Sequence, residues 1–247
     1  MRQKTYERII CFARLFFKKP EIYLPEDFDT SVPSIFLCNH AKNYGPIMAM
    51  TRFPVSVRPW CHSGVVHPEE SFEYIRNGFF MERLKMNKKI AGFFARMIAK
   101  PLLALVHMNR PITAYHDISK CLKTIHTGTR SLLGGENQLI FSNVPVCKDE
   151  KLNPDFDFMK GYQLVIKNAM KNGVIPKVYP VSINKDKAAI SIGEPILPDP
   201  YADWNIEKKR INDYIVRKVK LGYLYPRRRL EKPHRRIFWE EDRKKIS

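Results

Sequence analysis

The sequence predicts one α/β domain in which a central sheet is flanked by helices. Short, mostly apolar segments bounded by polar residues or proline indicate strands. They are residues 35–38, 55–61, 138–142, 176–183 and 187–192. Longer segments with apolar residues at helical spacing alternate with them. They are residues 69–100, 117–135 and 205–221. At 247 residues the chain is long enough for one well-buried core with extensions, and it contains no internal repeat or low-complexity linker.

We expect three parts along the chain. Residues 1–29 hold an amphipathic helix and a connector, residues 30–204 the α/β domain, and residues 205–247 a C-terminal helix and a basic tail. Within the first part, residues 4–18 have one apolar helical face with a rim of Lys and Arg. This pattern suits a helix that lies in a bilayer interface, and it equally suits the packed first helix of a domain.

The segment from Ile90 to Val106 is apolar apart from Arg96 and Lys100. It predicts a helix that Pro101 stops or kinks, and it is a second candidate for contact with a membrane. A transmembrane helix is not expected, because no run of about 18 apolar residues is free of charge. A signal peptide is not expected either, because charged residues interrupt the apolar part of the N-terminal segment.

Residues 36–47 are the strongest candidate for a site of chemistry. An apolar strand ends at Asn39-His40, and a turn then leads into a further apolar run. In open α/β sheets, ligands and catalytic groups gather outside the carboxyl ends of such strands. The segment resembles the first motif of the glycerolipid acyltransferases, the lysophosphatidic acid acyltransferase family, which is written N-H-x-x-x-x-D-P. Asn39, His40 and Pro46 fall into place. Gly45 occupies the position of the Asp.

Two later segments resemble the second and third motifs of that family. Residues 106–111 match an apolar strand that ends in an Arg, with Arg110 at the Arg position. Residues 138–145 lie where the third motif, F-P-E-G-T-R, belongs. Phe141 matches that motif, while Asn143 takes the Glu position and valines take the Gly and Arg positions.

The resemblance continues through residues 174–183, an apolar strand with prolines, and residues 190–196, a short strand ending in G-x-P. It covers residues 30 to 200 and implies a fold like that of glycerol-3-phosphate acyltransferase, with a mixed central sheet. It also implies that His40 and Arg110 face each other across a groove.

The resemblance implies a role for each matched residue. In the family the His is the general base, and the Asp five residues later orients it. Here His40 would be the base, and the amide oxygen of Asn43 would accept the ring N–H in place of the absent carboxylate. Restoring a carboxylate by Gly45→Asp is expected to raise activity, provided that Gly45 does not hold a positive φ that Asp would strain. Substrate contacts are implied for four residues: Asn39, Arg110, Phe141 and Asn143. Three acids could approach His40 in the fold: Asp117, Asp149 and Glu150.

The implied reaction moves a fatty acyl group from acyl-CoA or acyl carrier protein to a hydroxyl of a lysolipid acceptor. No cofactor is expected beyond the acyl donor. No metal is expected either, since Cys61, His62 and His67 have no fourth group at the spacing of a zinc site. Five cysteines are dispersed along the chain without paired spacing, which indicates reduced thiols in the cytoplasm.

The charge of the chain points to a polyanionic partner. Lys and Arg number 43 against 25 Asp and Glu, a net charge of +18. Residues 208–247 alone hold fifteen basic and five acidic residues. Such a tail attracts anionic lipid, nucleic acid or an acidic protein. Each Lys or Arg near an anionic leaflet contributes about 1 kcal/mol. We therefore expect a peripheral protein on the inner face of a membrane.

Three interpretations of the function stay open. The chain is a divergent acyltransferase, a catalytically silent relative that binds lipid or acyl carrier at the membrane, or a nucleic-acid binder through its tail. No nucleic-acid fold signature accompanies the tail. A single His at a strand end is more often structural than catalytic, so the surroundings of His40 decide between the first two interpretations.

Overall fold

The computed structural model describes residues 18–41, 44–115, 117–142 and 157–226. Within these residues, seven strands form one mixed sheet, which confirms the predicted α/β class. The strands are β1 Glu21–Tyr23, β2 Ser34–Asn39, β3 Arg58–His62, β4 Ile112–Ala114, β5 Gln138–Ser142, β6 Lys177–Asn184 and β7 Ala189–Ile192. Their order across the sheet is β1-β7-β6-β2-β5-β3-β4. The five strands from β6 to β4 run parallel, and β7 pairs antiparallel with β6.

The helices of the described residues are seven α-helices and one π-helix. They are α1 Tyr44–Arg52, α2 Ser63–Val66, α3 Pro68–Tyr74, the π-helix Ile75–Arg83, α4 Lys88–Met108, α5 Ile118–Leu133, α6 Asp157–Lys171 and α7 Trp204–Leu224. Side-chain caps start the longer ones. Asn87 accepts from the N–H of Ile90 before α4, and Asp117 accepts from the N–H of Ser119 before α5.

β2 is buried on both faces, as expected for the central strand. Its alternate residues belong to two different cores. Ile35 and Leu37 pack with α5, α6 and α7 on one face of the sheet. Phe36 and Cys38 pack with α1 on the other face. A continuous apolar run is the sequence pattern of such a strand, which is why its position was predictable.

One predicted strand is wrong. The segment from Val106 to Met108 is the last turn of α4, which continues through Pro101 instead of stopping there. A proline removes the bond to the carbonyl four residues earlier, that of Met97. Both residues are exposed, so water can satisfy that carbonyl. By length and composition alone α4 could cross a membrane. The sequence analysis did not expect this, because Arg96 and Lys100 interrupt the apolar run.

Within the described residues, elements from all three predicted parts of the chain contribute to one sheet and its core. β1 lies before residue 30 and pairs with β7 in the sheet. α7 follows residue 204 and buries Ile211, Ile215 and Val219 in the core. The predicted helix at residues 4–18, apart from Lys18, and the tail after residue 226 lie outside the described residues. Sequence reasoning also missed β1, β4 and α6.

A separate helical layer follows β3 from its carboxyl end. It consists of α2, α3, the π-helix and α4. Ile75 and Phe80 of the π-helix pack against three alanines of α4 in a third apolar cluster. The alanines are Ala91, Ala95 and Ala99. They recur every fourth residue, so one narrow stripe of α4 faces the protein.

The side chain of Asn39 holds the end of β2 to β6. Its Nδ2 donates to the carbonyl of Ile183 at 3.0 Å, and its Oδ1 accepts from the N–H of Ile183 at 2.7 Å. Backbone pairing between the two strands ends at Cys38 and Val181. The amide therefore extends the ladder by one step with a side chain, and it fixes the residue that follows, His40.

We predict that Asn39→Ala destabilises the protein by roughly 2–4 kcal/mol. The substitution leaves the buried N–H and C=O of Ile183 without the amide, and each unsatisfied group costs about 1–3 kcal/mol. Urea unfolding measures the change in the free energy of unfolding. The matched control is Asn172→Ala, because that exposed amide bonds only the carbonyl of Asn168 in its own helix. Equal losses in the two variants would show that the Asn39 amide does not hold the strands together.

Candidate functional site

His40 lies at the carboxyl edge of the sheet, directly after the central strand β2. Its side chain is partly exposed. Its ring packs at a tilt against Phe141 near the end of β5, with the two ring centroids 5.6 Å apart. α1 begins four residues later at Tyr44, so the positive end of its dipole lies at the same edge. His40 thus occupies the place where ligands of open α/β sheets bind.

The start of α1 lies directly on the backbone of His40. A Cβ atom added at Gly45 would be 2.2 Å from the carbonyl oxygen of His40 and 3.0 Å from its carbonyl carbon. Both atoms belong to the backbone, so neither can turn aside. A side chain at position 45 therefore requires the backbone of α1 or of His40 to shift, and the expected effect of Gly45→Asp on activity stays a prediction. The reason for the shift is the close approach of the two backbone segments.

The turn between β2 and α1 contains a strained residue. Ala41 has φ +44°, in the left-handed region that a residue with a Cβ rarely adopts. The N–H of Tyr44 donates to the carbonyl of Ala41 at 3.2 Å and closes the turn. Strained backbone persists where the surrounding structure forces it, often beside a functional site. Here the hydrogen bonds of the Asn39 side chain precede Ala41 in the chain, and the close packing at Gly45 follows it.

Arg110 lies at the amino end of β4, whereas His40 follows the carboxyl end of β2. It precedes β4, and its guanidinium bonds Glu136, which precedes β5, at 2.7 Å. His40 instead contacts Phe141. Since β-strands rise about 3.3 Å per residue, the step from Glu136 to Phe141 separates the two groups by about 16 Å. Arg110 therefore does not lie beside His40, and its predicted contact with substrate stays a prediction.

Arg110 belongs to a structural ion-pair network. Arg58 bonds the other carboxylate oxygen of Glu136 at 2.8 Å and donates through Nε to the carbonyl of Arg110 at 2.7 Å. Partial burial acts to raise the pKa of Glu136, but hydrogen bonds from Arg58 and Ser131 hold that pKa below its usual value. The network ties the amino ends of β3, β4 and β5 together.

The other predicted site residues divide into three groups. Asn39 is fully buried, and both ends of its amide bond Ile183, so the side chain is committed to the sheet. Phe141 lies beside His40, and its predicted contact with substrate stays a prediction. Asn43 and Asn143 lie outside the described residues, as do Asp149 and Glu150.

Asp117 does not reach His40. Its carboxylate caps α5, and hydrogen bonds from Ser119 lower its pKa. β4, which precedes Asp117, is three strands away from β2 in the sheet order. With strands about 4.8 Å apart, that is about 14 Å. Asp117 therefore serves the helix start, and it cannot replace the missing carboxylate.

Sequence reasoning missed a polar pair at the same edge of the sheet. Nε2 of His67 and the hydroxyl of Tyr115 are 3.0 Å apart, and their rings are stacked. Nearby, His62 accepts from the N–H of Gly64 through Nδ1 and stacks on Tyr74. Tyr115 directly follows β4, His62 is the last residue of β3, and His67 follows α2, which starts at the end of β3. The sequence signal for this pair was the polar residues after the predicted strand at 55–61. The strand at 112–114 was not predicted, so Tyr115 carried no such signal.

The cysteine near the end of β3 is a poor candidate for a nucleophile. Burial raises the pKa of the Cys61 thiol to about 12, so the thiolate is scarce at neutral pH. Within the described ranges, no three His, Cys, Asp or Glu side chains are grouped as metal ligands would be. The candidate chemistry at this edge therefore rests on His40.

Fold and site together define the class: an α/β protein with a mixed seven-stranded sheet and a histidine at the carboxyl end of its central strand. No family model matches the chain, and no curated protein matches it. A similar solved structure is the 1-acyl-sn-glycerophosphate (LPA) acyltransferase PlsC from Thermotoga maritima. It is 15% identical, with a TM-score of 0.48, over 94% of this chain and 86% of that one. A likeness of this size assigns no role to any residue of this chain.

We predict that Gly45→Ala destabilises the protein by about 1–3 kcal/mol, the usual cost of an overpacked site. The added methyl group meets the carbonyl of His40, so α1 must move away from β2. Thermal and urea unfolding measure the loss. The matched control is Gly92→Ala in α4, where the nearest atom to an added Cβ is Arg76 Cδ at 3.9 Å. There the better helix propensity of alanine makes the change neutral or stabilising. A Gly45→Ala variant as stable as the parent would disprove the close approach.

Proposed function

We propose that the chain is an acyltransferase-like protein of the membrane surface. It transfers a fatty acyl group from acyl-CoA or acyl carrier protein to a hydroxyl of a lysolipid acceptor, with His40 as the general base. The observation that carries the proposal is the position of His40: a partly exposed imidazole at the carboxyl end of the central strand, next to the N-terminus of α1.

The proposed step needs one group that accepts a proton. The neutral imidazole of His40 takes the proton of the acceptor hydroxyl as that oxygen attacks the thioester carbonyl. The tetrahedral intermediate then collapses, the C–S bond breaks, and the imidazolium returns the proton to the leaving thiolate. The positive end of the α1 dipole favours the negative charge that develops on the carbonyl oxygen.

The lack of a carboxylate at Gly45 lowers the expected rate. In a serine protease, replacing the carboxylate that orients the catalytic histidine by an amide costs about 10⁴-fold in rate. Asn43 is the proposed neutral substitute, through its amide oxygen. It would hold the ring in place, but it supplies no charge to stabilise the imidazolium. We therefore expect slow turnover.

A second candidate function is a catalytically silent protein that binds lipid or acyl carrier at the membrane. The packing at Gly45 favours it, because the backbone excludes the orienting acid. The position of Arg110 favours it too, because that arginine cannot bind an acceptor phosphate beside His40. Nucleic-acid binding through the tail is a third, weaker candidate that no described residue supports.

The proposed place of action is the cytoplasmic face of a membrane that contains anionic lipid. The basic residues after position 226 and the amphipathic segment 4–18 would supply the attachment. An apolar element combined with a polybasic patch gives stable binding, whereas either alone gives marginal binding. The lysolipid acceptor is then available in the same bilayer.

We predict that His40→Ala abolishes acyl transfer, a loss of at least about 10²-fold. Purified protein is incubated with acyl-CoA or acylated carrier protein and a panel of lysolipids in vesicles, and the product is followed by mass spectrometry. The matched control is His126→Ala, an exposed histidine of α5, which should retain the parent rate. Equal rates in parent and His40→Ala would refute the base. No turnover in the parent, with intact lipid binding, would favour the silent protein.

We also predict that removal of residues 227–247 weakens binding to anionic vesicles far more than to neutral ones. The cut belongs at residue 227, because the preceding residues hold α7 to the β6–β7 turn. Asn184 donates to the carbonyl of Tyr223, and Lys187 to that of Leu224. Vesicle sedimentation measures the affinity, with duplex DNA at the same ionic strength as the competing polyanion. A preference of the full chain for DNA over anionic vesicles contradicts the membrane assignment.

A further inference from the structure

α4 has a bulky apolar face that is largely exposed. Its exposed side chains recur every three or four residues, so they form one stripe along the helix. They are Ile90, Phe93, Phe94, Met97 and Ile98. Phe93 is 63% exposed and Met97 58% exposed. Phe94 lies at one border of this stripe and stacks on Phe80 of the π-helix, with the ring centroids 5.8 Å apart. By helical spacing, Phe93 and Met97 lie on the side of α4 away from the alanine stripe.

A row of basic residues borders this face. Lys89, Arg96 and Lys100 are spaced by seven and four residues, which places them on one side of a helix with 3.6 residues per turn. Lys88 adds a further charge at the start of the helix, and α4 contains no Asp or Glu. An apolar stripe flanked by a basic row is the pattern of a helix that lies in the headgroup region of an anionic bilayer.

We propose that this face of α4, with its basic row, docks the folded domain onto an anionic lipid bilayer. Phe93 and Met97 enter the boundary between headgroups and acyl chains, while Lys89 and Lys100 bind lipid phosphates. This contact is separate from the N-terminal segment and the basic tail. It does not depend on the chemistry at His40, since it concerns where the domain sits and not what it transfers.

The helix lies along the bilayer surface and does not cross the bilayer. Its alanine stripe is buried against the π-helix, so lipid cannot surround it. A spanning orientation would also carry Arg96 and Lys100 into the hydrocarbon core, where charged side chains are costly. In the surface orientation the same two side chains reach the headgroups.

The helical layer that carries α4 starts at the same end of the sheet as His40. The elements that carry α4 are α2, α3 and the π-helix, which leave the sheet from the carboxyl end of β3. His40 lies at that same edge of the sheet.

The test uses the full chain and vesicles of phosphatidylcholine with phosphatidylglycerol, in low salt and in about 0.5 M salt. High salt shortens the reach of the charges to about 4 Å, which suppresses the contribution of the tail. The parent should keep measurable binding in high salt through its apolar face. Phe93→Ser combined with Met97→Ser should lower that affinity at least about tenfold, because the buried apolar area is lost.

The control is Leu122→Ser combined with Ile206→Ser. These side chains are 72% and 70% exposed on α5 and α7, so the change in exposed apolar surface is matched. This variant should bind within about twofold of the parent. Circular dichroism checks that both variants are folded, which exposed positions should allow.

A second variant isolates the charges. Lys89→Glu combined with Lys100→Glu should lower affinity for anionic vesicles at least about fivefold in low salt and leave binding to phosphatidylcholine alone unchanged.

Two results would overturn the proposal. One is a Phe93/Met97 variant that binds vesicles as well as the parent in high salt. The other is a parent that forms dimers in solution which the same variant dissociates, since the face would then bind a second copy. The assay contains no acyl donor or acceptor, so its failure leaves the proposed chemistry at His40 untouched.

Discussion

The end of β2 is held from two sides, and the candidate site depends on both contacts. On one side the amide of Asn39 continues the pairing with β6 after the backbone ladder has stopped. On the other side the first turn of α1 lies so close that only glycine fits at position 45. Between them the chain turns through Ala41 in a strained conformation. His40 therefore stands on backbone that is held in place, which favours a functional role over that of a side chain at a loose strand end.

The same rigidity limits what the site can do. A general base of the imidazole type works best when a carboxylate orients the ring and stabilises its charged form. The backbone around Gly45 has no space for that group, and Asp117, the one described acid among the three expected to approach His40, caps a helix three strands away. Arg110, which could have bound a phosphate, instead links strand ends at the opposite edge. The imidazole of His40 at the carboxyl end of β2 therefore remains the one group on which the proposed chemistry rests.

The parts of the fold that the sequence predicted are those with local signals. β2, β5 and β6 lie within one residue of their predicted bounds because continuous apolar runs mark strands buried on both faces. β1 and β4, with three residues each, are too short to show a period. α4 was misjudged at Pro101 because the helix tolerates a proline on its exposed side. The position of Arg110 depended on which strand end it preceded, and only the packing of distant segments decides that. The pair of His67 and Tyr115 was not predicted for the same reason, because its two residues are far apart in the chain.

The close packing at Gly45 also bears on how this protein can change over time. A single codon change that introduced aspartate would meet the backbone of His40 before its carboxylate could act. Gain of the acid would therefore need a prior shift of α1 by other substitutions, each neutral on its own. Until such a shift occurs, selection has no stepwise path toward a charged partner for His40. The close packing at Gly45 therefore restricts which residues can be introduced beside His40.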